Sequence, residues 1–133
     1  MNSAVKKKLV VVIDNEVQVE YDREKELPPH QIEYLEKMDA KMDQGIPQGS
    51  GHIFSPNPEK KAEFIANQLV SALKSNNEQL AAATLAWLAN RIPDLQQVVA
   101  EDKDGQTEIR LINDRAYAKE EPVQFIRPGQ LDS

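Results

Sequence analysis

The spacing of apolar residues changes several times along the chain, and each change marks an element. Leu9 to Ile13 form an unbroken apolar run rich in β-branched side chains, set between Lys8 and Asp14-Asn15. A run of this kind reads as a strand buried on both faces. Beyond Glu16 the period becomes two, with Val17, Val19 and Tyr21 alternating with Gln18, Glu20 and Asp22. That is the pattern of a half-exposed strand, and the two runs together predict a β-hairpin.

Pro28-Pro29 stops the extended chain and opens a helix, because proline is tolerated in a first helical turn. From His30 to about Gln44, the residues Ile32, Leu35, Met38 and Met42 draw one apolar stripe. Gly45 stands where such a helix ends. The stretch from Ile46 to Asn57 reads as a loop rich in glycine, serine and proline, with Phe54 anchoring its far end to the core. Asn57-Pro58-Glu59 then supplies an N-cap, a proline at the first helical position and an acid in the first turn. Ala62, Ile65, Ala66, Leu69, Ala72 and Leu73 carry this second helix to about Lys74. Ser75 and Glu78 have capping-box spacing. A third helix follows from about Asn77 to Arg91 and stops before Pro93. So short a connection folds the second and third helices into an antiparallel hairpin.

Gln97 to Glu101 and Thr107 to Asn113 predict a second β-hairpin, joined across Asp102 to Gly105 by a bulged turn. The expected fold class is α+β in the order β-β-α-α-α-β-β, with antiparallel hairpins packed on a helical layer. Residues 1–115 make a single domain. Residues 116–133 are an extended tail or arm, in which Val123-Gln-Phe125-Ile126 can add as an edge strand.

Composition narrows the function. With 133 residues, 40% apolar and 29% charged, the chain has enough core to fold without disulfides or a structural metal. Sixteen basic against 22 acidic residues give a net charge of −6. That balance argues against nucleic acid and anionic membrane as partners, since both attract positive charge. Without cysteine there is no thiol nucleophile, disulfide scaffold or Cys-ligated metal. No apolar run approaches the roughly 18 residues of a membrane span, and Leu9–Ile13 is too short for a secretory core. A cytoplasmic protein is expected.

Candidate chemistry is sparse. His30 and Glu33 share a helix face, but no further ligand pattern accompanies them. The segment Gly49, Ser50, Gly51, His52 lies shortly before a helix N-terminus, where free N–H groups can receive an anion. It lacks the lysine and spacing of a phosphate loop, and is a weak ligand-binding candidate. Asp102-Lys-Asp-Gly105 is explained by turn chemistry, and Glu36, Asp39 and Asp43 interleave with lysines as a solvated face. Neither a catalytic residue nor a metal or other cofactor is predicted.

The sharpest feature is the third helix, where Leu80 to Ala89 contains only one polar residue, Thr84. A helix apolar all round is either central in the core or partly covered by a partner. Leu85, Leu88 and Ile92 suit the inner side. Ala82, Ala83, Ala86, Trp87 and Ala89 make a candidate interface, joined by Val123 and Phe125 of the tail. The favoured expectation is a homodimer acting through protein–protein interaction or regulation, with itself and with another protein as partners. A ligand-binding protein or enzyme using residues 45–58 is the alternative. A winged-helix DNA-binding regulator is the second alternative, disfavoured because the third helix offers alanine and leucine where base readout needs polar side chains.

Overall fold

The computed structural model of the chain describes residues 8–48 and 50–117. Two hairpins, distant in sequence, join edge to edge. β1 (Lys8–Ile13) pairs antiparallel with β2 (Glu16–Asp22), and β5 (Gln97–Lys103) with β6 (Gln106–Ile112). β1 and β5 then pair in parallel, giving one sheet in the order β2-β1-β5-β6. The apolar run of β1 follows from its central place, for every residue from Leu9 to Ile13 is buried.

Both hairpins turn on two residues of positive φ, Asp14-Asn15 (50° and 69°) and Asp104-Gly105 (52° and 78°). This is the type I′ geometry that matches strand twist and favours Asx and Gly. The second turn is therefore a tight one, not the bulged one expected, since β5 runs on to pair Lys103 with Gln106. A bulge lies in the first hairpin, where Val11 faces Val19 but Val12 faces Val17, so that Gln18 is the extra residue. Asp14 also ties the hairpins together: its Oδ1 accepts from the Asp102 N–H at 2.9 Å.

Three helices cover one face of the sheet. They are α1 (Pro29–Asp43), α2 (Pro58–Lys74) and α3 (Glu78–Arg91). Leu9, Val11, Ile13, Val98 and Ala100 meet Leu69, Leu88 and Trp87 in the core. The α+β class holds, with one addition to the order. Within the segment read as a loop, β3 (Ile46–Gln48) and β4 (Gly51–Ile53) form a small separate hairpin, so the order is β-β-α-β-β-α-α-β-β. Three-residue strands are too short to display a period. Ile46 is buried there, but Phe54 stays 71% exposed and anchors nothing in the core; its ring lies over Gly45 instead.

Helix ends follow local chemistry. Gly45, at φ +132°, donates to the Met42 carbonyl and ends α1. The Asn57 side chain accepts from the Lys60 N–H at 2.8 Å and begins α2, as expected. The expected Ser75–Glu78 box does not form. Ser75 closes α2 and Asn77 caps α3, accepting from the Leu80 N–H. Between them Asn76 is left-handed (φ 60°), its N–H bonding Leu73 O while Asn77 N–H bonds Ala72 O. These two bonds are a Schellman motif with asparagine in the usual glycine position. Among the described residues, no helix is long and apolar enough to cross a membrane.

Candidate functional site

The third helix divides along its length and around its girth. Trp87, Leu88 and Ala89 are buried within the chain itself, at 1%, 0% and 3% exposure. Thr84 is also fully buried, and its hydroxyl donates back to Leu80 O at 2.7 Å, which satisfies it without any outside partner. Ala82 by contrast is exposed and Ala83 half-buried. Of the residues expected at an interface, then, Ala86, Trp87 and Ala89 are buried in the core, Ala86 at 7% exposure, and Ala82 with Ala83 reach the surface. Val123 and Phe125 lie outside the described residues, as does Gly49.

What α1 does to this helix is set by one carboxylate. Asp39 accepts from Trp87 Nε1 at 2.8 Å through one oxygen and from Arg91 Nε at 2.9 Å through the other. Lys61 of α2 stands 3.0 Å from Asp43 and 3.8 Å from Asp39. Asp39 and Asp43 are therefore a joint between three helices, where the sequence read as a solvated face, while Glu36 is exposed. Interleaved lysines gave no hint of it, because the partners come from other elements. This joint fastens the C-terminal half of α1 to the C-terminal end of α3. Arg23, just past β2, holds the same end of α3 from the other side, donating to Ala89 O at 3.1 Å and Ile92 O at 3.0 Å. Burial pulls its guanidinium below the ordinary value, with Tyr21 and Asp94 acting in opposition.

Toward the other end, α1 and α3 diverge. A groove of about 690 Å³ opens there, walled by His30, Gln31 and Tyr34 of α1 and by Asn77, Gln79 and Leu80. Its floor is Ala82, Ala83 and Ala86. A second groove of about 510 Å³ shares Gln31, Asn77, Ala82 and Ala86 and runs on to Val19 and Tyr21 of the edge strand β2. Alanines at the floor give the depth, since a larger side chain at 82 or 83 would fill it. The lining is apolar below and mostly neutral polar at the rim. That mixture suits a protein segment better than a charged metabolite.

The other candidates do not converge. His52 lies on β4 opposite Pro47, exposed, with Ser50 and Gly51 exposed beside it. None of these residues lines either groove. Among the described residues no group of three metal-ligating side chains comes together. Asp102 is engaged by Lys74 Nζ and Thr107 Oγ1, both at 2.6 Å, and these hydrogen bonds, with Lys74 first, hold its carboxyl below the ordinary range. That is a link between α2 and the second hairpin. At the C-terminal end of α3, the Asn90 side chain donates to Ala86 O and the Arg91 side chain is held by Asp39. Compared with protein-family models, curated proteins and solved structures, the chain matches none.

Proposed function

We propose that the chain is a cytoplasmic homodimer that works through protein–protein interaction, in an accessory or regulatory role, with the α1–α3 groove as its contact surface. One observation carries this reading: a large apolar knob stands beside a hole floored by alanine. Tyr34, which lines the groove, is 50% exposed. A twofold axis makes such a surface self-complementary, because the knob of each protomer meets the hole of the other. The partner's Tyr34 then covers Ala82 and Ala83, and a tyrosine at such a site brings both apolar area and a polar tip for the rim. Two acidic chains repel at long range, so the contact has to be apolar at its centre and neutral at its edge. His30, Gln31, Asn77 and Gln79 at the groove rim meet that requirement.

The absence of native cysteine makes a direct test simple. Tyr34→Cys protein and Ala82→Cys protein are mixed and oxidised, so that a disulfide between the two positions can only join different protomers. The reading predicts the mixed disulfide well above the level given by Tyr34→Cys with Ser50→Cys, an exposed position elsewhere. Equal yields from the two mixtures would end it.

A further inference from the structure

The sheet has a second face, and no described helix packs on it. Pleating sends Leu9, Val11 and Ile13 toward the helices and Val10 and Val12 the other way. Register extends that outer face across the sheet, with Val17 beside Val12, Gln97 beside Val10, Val99 beside Val12 and Ile112 beside Gln97. The result is an apolar stripe bordered by the Lys8–Glu20 pair on one side and by Glu101 with Arg110 on the other. Val10, Val12 and Gln97 are nonetheless buried, at 8%, 4% and 6% exposure.

The path of the chain after β6 indicates what belongs there. Gln96 Nε2 donates to Asn113 O at 2.9 Å, and Gln97 Nε2 donates to Arg115 O at 3.1 Å. Because Gln97 is on the outer face, beside Val10, the second bond draws the backbone at 115 toward that face. Sixteen residues follow Tyr117, and the apolar ones among them are concentrated in Val123-Gln-Phe125-Ile126. Strands lie about 4.8 Å apart, so the distance from β6 to β2 is roughly 14 Å. The five residues from 118 to 122 span up to about 17 Å when extended, enough to bring Val123 and Phe125 over the valines of β1. A segment that reads Val-Gln-Phe puts its two apolar side chains on one side when extended, which fits a flat apolar stripe.

We infer that the outer face of the sheet is a docking surface for the chain's own residues 118–133, with Val123 and Phe125 seated on Val10, Val12 and Val99. The occupant is intramolecular because the connection is short and already starts on that face. This inference is independent of the α1–α3 groove, which lies on the helical side, and either can fail alone.

The experiment uses the full chain with methyl-labelled valine and isoleucine. Nuclear Overhauser effects are expected between the Phe125 ring and the Val10, Val12 and Val99 methyls, with intensities unchanged on dilution. Phe125→Ala should shift those methyl resonances, while Phe54→Ala, at an exposed position beside Gly45, should leave them in place. Absence of these effects would overturn the inference. So would their appearance only between differently labelled chains in a mixed sample, which would make the occupant a second copy.

Discussion

Asp39→Ala is the most informative single change, because one carboxylate fastens α1 to α3. Trp87 is 1% exposed and its indole N–H bonds Asp39 at 2.8 Å, so removing the acceptor leaves a buried donor without its partner. That loss costs about 1–3 kcal/mol. The Arg91 contact, at 2.9 Å between side chains that are 33% and 26% exposed, adds at most about 1 kcal/mol after solvent screening. Lys61 keeps Asp43 at 3.0 Å and contributes little to the change. The expected destabilisation is roughly 2–3 kcal/mol, or a fall in Tm of about 8–12 °C at some 4 °C per kcal/mol. Urea unfolding followed by far-ultraviolet circular dichroism measures it, with the slope m unchanged if only stability is altered. Asp39→Asn keeps an acceptor oxygen and should recover about half the loss. A double-mutant cycle with Trp87→Phe should show a coupling of about 1 kcal/mol or more. An Asp39→Ala protein within about 0.5 kcal/mol of the native chain would refute the reasoning, since that is the ordinary effect of a surface substitution.

Four further outcomes follow from the same physics. Ala82→Arg, at an exposed floor position, should leave unfolding free energy within about 0.5 kcal/mol while abolishing self-association in size-exclusion chromatography. Asn76→Ala should cost about 1–2 kcal/mol in chemical denaturation, because alanine lacks asparagine's tolerance of φ 60°, and Asn76→Gly should not. Gly45→Ala should be destabilising by roughly 1–3 kcal/mol from its φ of +132°, and the Phe54 ring, 3.1 Å from the added methyl, must also yield. Asp102 has a depressed carboxyl pKa in the fold, so its contribution to stability is complete above the ordinary carboxylate range and is lost as pH falls through the lower folded value. A carbon-detected titration should place its midpoint below that of a free aspartate, and Lys74→Met should move it upward.

Sequence periodicity was sufficient for the long elements and failed for the short or shared ones. β1 declared itself because its apolar run is short and four of its five residues, Val10 to Ile13, are β-branched, which suits a central strand. α1, α2 and α3 were legible from their apolar spacing and from Pro29, Asn57-Pro58 and Gly45 at their ends. The β3–β4 hairpin was not, since a three-residue strand contains barely one alternation. The Ser-x-x-Glu spacing of Ser75 and Glu78 suggests a capping box, whereas the left-handed turn at Asn76 makes Asn77 the cap. The groove was half legible. Alanine spacing pointed to a helix approachable at 82 and 83, but not to Trp87 being sealed by Asp39 from a helix 48 residues earlier. Contacts between distant segments leave no local pattern to read. The glycines of the Gly49–His52 segment suggest a binding loop, yet Ser50, Gly51 and His52 are exposed and line neither groove.

Sedimentation equilibrium of the native chain at micromolar concentration tests the central proposal most directly. A chain of 15.0 kDa that associates through the α1–α3 groove should sediment at twice that mass, and Ala82→Arg should return it to 15.0 kDa with its fold intact. A native chain that stays at 15.0 kDa throughout that range would contradict the homodimer.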